Sequence, residues 1–215
     1  MKSVCVNSLQ YKFLAIVLFY SCHIFSQGEA NIWYFGNHAG LSFASGSPVA
    51  LTNGQLETDE GCATISNASG QLLFYTDGIT VYNRNHDVMV NGTGLMGNSS
   101  SSQSATIVPK PGSNSLYYIF TIEAVARPNG FRYSIVDITL DGGNGAVTTD
   151  KNILIYTPTC EKIAINKHSN NIDFWIVTHG FDNNNFYAHL LTNNGLNTNP
   201  VISSVGYTPT IPVQS

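Results

Sequence analysis

The chain has 215 residues, a formal net charge of −4 and only 10% charged side chains, against roughly 25% in an average soluble protein. Hydrophobic residues make up 43% and aromatic residues 11%, which is enough for a packed core and excludes disorder for most of the chain. Nine Lys and Arg in total cannot build a basic face along a run of phosphates, so the composition argues against nucleic-acid binding. Low charge with abundant Gly, Asn, Ser, Thr and Tyr predicts an extracytoplasmic β protein.

The N-terminal segment has the pattern of a signal peptide. Lys2 and Lys12 precede an apolar run over 13–20, which is shorter than the ~20 residues that a membrane-spanning helix needs. We therefore predict a signal peptide over 1–27, cleaved between about residues 25 and 30, and a secreted or cell-surface product. No later segment has the pattern of a membrane-spanning helix.

Two alternatives stay open at the N-terminus. The apolar run could form a buried helix, although it is flanked by Lys and ends in small and polar residues. Cys22 could be acylated as in a lipoprotein, although Phe19 stands where such a signal usually has an aliphatic residue.

Cleavage would leave two cysteines, Cys62 and Cys160, in the mature chain. An exported protein can hold a disulfide, but two cysteines far apart in sequence are no disulfide framework. Both stand at predicted strand starts, so we expect two reduced, packed thiols. Neither has a Cys or His partner at ligand spacing, so no metal site is predicted.

The segment 28–215 repeats one pattern. Each unit has a short apolar strand, a polar turn, an aromatic strand and a third strand that ends in turn-forming residues. From Phe35 to Thr76 is 41 residues, from Thr76 to Thr121 is 45, and from Thr121 to Thr178 is 57. The aromatic strands are IWYF (32–35), LLFYT (72–76), LYYIFT (116–121) and FWIVT (174–178).

A period of about 40 to 50 residues with three or four short strands is typical of β-propeller blades. We therefore predict an all-β fold of about four antiparallel, blade-like units, in which Trp33, Phe74, Tyr118 and Trp175 lie on comparable middle strands. Known propellers close with about 4–8 blades, whereas only three units here are complete. The prediction is thus an incomplete propeller, with truncation at the C-terminus as one explanation, and a plain β-sandwich is the alternative fold.

Several of these segments resemble one family. NIWYFG (31–36), EGCATIS (60–66), FYTDGITVYN (74–83) and the stretch 103–112 are similar to the N-terminal propeller-like region of large secreted Bacteroidota proteins. Members of that family often continue into PKD-type domains and a sorting domain associated with type IX secretion and gliding motility. The resemblance implies surface attachment and supplies no catalytic residues. No PKD-like or sorting region occurs within these 215 residues.

The residues that follow the aromatic strands are the candidate site. If the repeats align, Asp77, Glu123 and His179 lie at the same end of successive units, where they could bind a sugar or a cation or perform acid/base chemistry. The alternative is ordinary turn chemistry, because Asp-Gly and His-Gly are common at strand ends.

Three other polar segments carry weaker signals. Residues 84–87 include Arg84, His86 and Asp87, which should point in different directions within a turn. Residues 182–185 resemble a calcium-binding loop but lack the Gly and the distal Glu of an EF-hand. The serines over 99–102 are interpreted as a flexible linker between units, because no nucleophile motif surrounds them.

Two classes of function remain. The first is a non-catalytic surface module for adhesion or for binding an unknown protein or polysaccharide, favoured by the export signal and by aromatic and amide side chains on predicted loops. The second is a secreted glycosidase or lyase on a propeller scaffold, which would need a pair of carboxylates at one site. Acidic residues are few and form no marked pair, so we favour the non-catalytic module and predict no cofactor.

Overall fold

The computed structural model describes residues 28–210, so the predicted signal peptide over 1–27 lies outside the described residues. Within this range the chain is all-β. Its helical segments are three single-turn 3-10 helices at Gly28–Ala30, Ala124–Ala126 and Asp141–Gly143. Alternating polar and apolar residues between Gly- and Asn-rich turns account for the short strands.

The strands fall into four groups in chain order. The first group is β1 (Ile32–Phe35), β2 (Ala39–Ser42) and β3 (Val49–Leu51), and the second is β4 (Ala63–Ser66), β5 (Leu72–Thr76), β6 (Thr80–Asn83) and β7 (Val88–Thr93). The third is β8 (Ala105–Pro109), β9 (Leu116–Ile122), β10 (Phe131–Asp137), β11 (Ala146–Val147) and β12 (Ile153–Tyr156). The fourth is β13 (Thr159–Lys167), β14 (Phe174–Gly180), β15 (Asn185–Thr192), β16 (Gly195–Leu196) and β17 (Val201–Ser204).

Within each group the neighbouring strands pair antiparallel. The second and third groups are joined by one parallel pair, Val90 with Ala146, into a single nine-stranded sheet. The two ends of that sheet, β4 and β8, lie close to each other, so the sheet is nearly closed and barrel-like. The all-β class and the antiparallel pairing of short strands are confirmed, but the second and third groups are one sheet rather than two separate blades.

Three apolar cores lie between consecutive groups. The first and second groups enclose Tyr34, Leu56 and Tyr75. The second and third groups enclose a core that includes Phe74 and Ile119. The third and fourth groups enclose a further core, which includes Val108, Tyr118, Phe120, Phe131, Ile163, Ile176 and Leu191.

The four predicted middle-strand aromatics differ in position. Phe74, Tyr118 and Trp175 lie on β5, β9 and β14, each the second strand of its antiparallel series, whereas Trp33 lies on β1 at the edge of the first group. Phe74 and Tyr118 are buried, but Trp175 is half-buried and Trp33 is 49% exposed. The prediction of comparable middle strands therefore holds for Phe74, Tyr118 and Trp175 and is wrong for Trp33, which lies on an edge strand.

Candidate functional site

The structure places Asp77 and Glu123 at the same end of their strands, where both serve as structural acceptors. One carboxylate oxygen of Asp77 accepts the backbone N–H groups of Ile79 and Thr80, each at 2.7 Å. Glu123 is buried and accepts a 2.9 Å hydrogen bond from the side-chain amide of Asn98. The geometry around Asp77 is the turn chemistry that the sequence left open as the alternative.

His179 lies at the end of β14 beside the thiol of Cys160. Its Nδ1 is 2.7 Å from the carbonyl oxygen of Gly180 and 3.8 Å from the Cys160 sulfur. Burial raises the pKa of the Cys160 thiol, and the nearby Glu161 carboxylate raises it further, which favours the protonated thiol. His179 makes no hydrogen bond to Asp77 or Glu123 among the described contacts, so the three predicted residues share an end of the strands without forming one cluster.

Cys62 and Cys160 are both free thiols, as predicted. Cys62 donates to the Tyr34 carbonyl oxygen at 3.5 Å, and Cys160 donates to the Gly180 carbonyl oxygen at 3.4 Å.

The serines over 99–102, interpreted from the sequence as a flexible linker, lie in a loop over 98–104 that is held by hydrogen bonds, which corrects that interpretation. Backbone carbonyls of Ser99 and Ser101 accept hydrogen bonds from the N–H groups of Glu60 and Gly61, at 3.1 and 3.0 Å. Ser104 Oγ donates to the Asp77 carbonyl oxygen at 2.5 Å. We refer to residues 98–104 as the central loop, because it also forms hydrogen bonds with the third and fourth groups.

Glu161, which the sequence analysis did not single out, anchors the central loop to the fourth group. One of its carboxylate oxygens accepts the Ser102 N–H at 2.9 Å, and the other accepts the Val125 N–H at 2.8 Å. Val125 has a φ of 55°, a left-handed conformation that costs of order 1–3 kcal/mol for a β-branched residue. The Glu161 bond helps to hold this turn, and no local sequence signal reveals a partner 36 residues away.

Glycines allow the central loop to sit close to the second group. A side chain at Gly61 would overlap the Ser104 backbone nitrogen, and one at Gly78 would overlap the Ser104 hydroxyl. Gly78 also has a φ of +88°, which other residues rarely adopt. Gly78 in the predicted Asp-Gly pair is thus required both by the turn and by this close approach.

His86, one of the turn residues predicted to point in different directions, joins a hydrogen-bond network between the first and second groups. Its Nε2 accepts from the Asn53 amide at 2.8 Å, and its Nδ1 lies 3.1 Å from the Tyr75 hydroxyl. Asn53 in turn accepts from the Tyr34 hydroxyl at 2.9 Å. Burial lowers the pKa of His86, with an opposing contribution from Asp87, which favours the neutral imidazole that this network requires.

The Asn183 side chain, in the segment 182–185, forms hydrogen bonds with neighbouring residues of its own loop. Asn183 accepts from the Asn185 N–H at 2.9 Å and donates to the Phe181 carbonyl oxygen at 3.0 Å. Across residues 28–210 there is no group of three or more His, Cys, Asp or Glu side chains placed to hold a metal ion.

A cavity of about 350 Å³ lies between β12 of the third group and β15 and β17 of the fourth. Tyr156, Tyr187 and His189 line it, together with Pro158, Pro200 and Ile202. None of its lining residues is charged. The Tyr156 and Tyr187 rings lie 4.7 Å apart between centroids, and the Tyr156 ring lies nearly parallel to His189 at 6.3 Å.

This cavity was not predicted from the sequence. The alternation of β15 places Tyr187, His189 and Leu191 on one face, which is a signal that a histidine stands among apolar neighbours. The other wall comes from β12, some thirty residues earlier in the chain, and no pattern in the sequence predicts that the two walls meet.

No protein-family model, curated protein or solved structure matches the chain. In the described part of the chain, no helix has the length and apolar character needed to span a membrane.

Proposed function

We propose that this protein is a non-catalytic, secreted or cell-surface module that binds a polysaccharide or a protein partner, built from propeller-like blades. The blade interpretation is supported by four antiparallel groups that follow one another in the chain and pack through three successive cores. The export part of the proposal depends on the signal-peptide pattern over 1–27, and the surface role on the resemblance to Bacteroidota surface proteins.

One observation carries the binding function: the carboxylates at the strand ends are committed to structure, whereas uncharged aromatic side chains line the cavity. Asp77 and Glu161 accept backbone N–H groups, and Glu123 accepts an amide. A glycosidase needs two carboxylates that face a substrate. Aromatic faces beside hydroxyl and amide groups favour instead the binding of neutral, hydroxyl-rich ligands.

The test is retention of the full chain on a panel of immobilised neutral and acidic polysaccharides, with the release of soluble sugars measured in the same samples. We expect retention on a neutral polysaccharide without product release. The matched variants Asp77→Asn and Glu123→Gln should leave retention within about twofold. Sugar release that disappears in either variant would establish an enzyme and refute the proposal.

A further inference from the structure

The outer strand of the fourth group, β17, has one edge with which no strand of residues 28–210 pairs. Its other edge pairs with β15, from Val201 opposite Ala188 to Ser204 opposite Asn185. All four residues of β17 are exposed, with Val201 at 62% and Ile202 at 55%. Because backbone N–H and C=O groups of an edge strand point away from the sheet, β17 offers hydrogen bonds to another extended chain.

β17 lacks the features with which natural edge strands avoid association, namely charge, proline and bulges. Residues 201–208 include no Lys, Arg, Asp, Glu or Pro, and the register of β17 on β15 is unbroken. The outer strand β12 differs, because Asp150 and Lys151 stand just before it and its register on β10 is shifted by an irregularity. The outer strand β3 is only three residues long.

Apolar side chains continue beyond the end of β17. Val205 is 78% exposed and Tyr207 is 81% exposed. Between them, the Gly206 N–H donates to the Asn184 carbonyl oxygen at 2.9 Å, which holds this segment beside the start of β15. An exposed backbone edge flanked by exposed apolar side chains favours a partner that contributes an extended strand.

The distribution of charge favours a second copy of this chain as the partner. The protein has a net charge of −4, so two copies repel each other unless they meet where charge is absent. Residues 183–210, which include β15 and β17, contain no Asp, Glu, Lys or Arg. Two identical strands can pair antiparallel about a two-fold axis, and an uncharged strand does so without placing like charges opposite each other.

We infer that two copies of the protein associate through β17, which pairs antiparallel with its counterpart and joins the two fourth groups into one continuous sheet. The contact is isologous, so it occupies the β17 edge of both copies and ends at a dimer. It involves few residues on each side, so the dimer is weak and depends on concentration. The outward face that carries Trp175 stays open. This inference goes beyond the proposed binding function and does not depend on it.

Sedimentation velocity of the full chain, at concentrations from about 1 to 300 µM, measures the association. The mass should rise with concentration from that of a monomer to that of a dimer and no further. A monomer at every concentration would overturn the inference, as would growth to trimers and larger species, which an isologous edge contact does not permit.

Amide hydrogen exchange, followed by NMR over the same concentrations, distinguishes an edge contact from a contact between sheet faces. In the monomer, the N–H groups of β17 that point towards β15 should be protected, while those that point away should exchange freely. In the dimer, exchange of the second set should slow at least about tenfold. A dimer whose β17 amides exchange as in the monomer would overturn the inference.

Three Val→Lys substitutions at similarly exposed positions locate the contact. They are Val201→Lys on β17, at 62% exposure, Val49→Lys on β3, at 52%, and Val88→Lys on β7, at 51%. Val201→Lys brings a charge from each copy to the contact, so the dissociation constant of the dimer should rise at least about tenfold. The other two should leave it within about twofold. Dimers weakened by Val49→Lys or Val88→Lys but not by Val201→Lys would overturn the inference.

A second β17 variant keeps the location testable if Val201→Lys does not fold, which circular dichroism checks. Ser203 is exposed on the same strand, so Ser203→Lys should also raise the dissociation constant at least about tenfold. An unchanged dissociation constant in a folded Ser203→Lys would overturn the inference. Retention on polysaccharides is a separate measurement, so its failure would refute the proposed function and leave the dimer contact intact.

Discussion

The third and fourth groups of strands share one sequence pattern but bury it differently. On β9 of the third group, Ile119 faces the core with the second group, and Tyr118 and Phe120 face the core with the fourth, so both faces are buried. On β14 of the fourth group, Ile176 is buried while Trp175 and Val177 are only half-buried. The first group resembles the fourth, because Tyr34 is buried and its neighbour Trp33 is half exposed. Burial therefore depends on whether a neighbouring group covers the face, and not on the repeat itself.

The strongest test of this comparison is Phe120→Ala. Phe120 is fully buried and stacks on Phe131 with ring centroids 5.6 Å apart. Removing its ring leaves a cavity between two covered sheets, so the free energy of unfolding should fall by about 3–5 kcal/mol. Urea denaturation measures the change, and a loss below about 1 kcal/mol would show that this core is not closely packed.

Loss of the Glu161 hydrogen bonds to the central loop should have the next largest effect on the free energy of unfolding. Glu161→Gln replaces one carboxylate oxygen with an amide group that cannot accept, so either the Ser102 or the Val125 N–H loses its partner. We expect a loss of about 1–3 kcal/mol in the free energy of unfolding. Lys162→Gln, at the exposed neighbouring position, is the control and should stay within about 0.5 kcal/mol. Equal effects of the two substitutions would contradict the anchoring role.

Trp175→Ala measures the open face directly. Because Trp175 is half-buried on the outward side of β14, the substitution should cost about 1–2 kcal/mol, less than Phe120→Ala. A cost of about 3–5 kcal/mol in the full chain, equal to that of a fully buried aromatic, would mean that another surface covers this face in solution.

The pH dependence of stability tests two histidines, His86 and His189, that lie between consecutive groups. Burial lowers the pKa of both His86 and His189 in the folded chain, so the unfolded state binds more protons once the pH falls below the ordinary histidine value of about 6.5. Above a pH of about 6.5, the contribution of these two histidines to the free energy of unfolding does not change with pH. The free energy of unfolding should fall as the pH decreases through that value. Urea midpoints at several pH values measure this slope, which should be shallower in His86→Gln and in His189→Asn. A slope unaffected by either substitution would assign the acid sensitivity to other groups.

The sequence predicted most strand positions because each strand is encoded locally. The predicted aromatic strands 32–35, 72–76, 116–121 and 174–178 lie within β1, β5, β9 and β14, where apolar residues and turn-forming neighbours act over a few positions. The prediction that Asp77 and Glu123 share one end of the strands also followed from the repeat. The contacts of Glu161 and the unpaired Nε2 of His189 could not be predicted, since they depend on segments that meet only in the folded chain.

The central loop has a consequence for the order in which the chain assembles. Ser99 contacts Thr58, 41 residues before it, and Ser102 contacts Glu161, 59 residues after it. Contacts of such long sequence separation form late, because the intervening chain must be closed first. Although a run of serines has the composition of a protease-sensitive linker, the central loop should therefore resist cleavage once the strands on both sides are in place. Cleavage within 98–104 during refolding marks a chain whose fourth group has not yet docked.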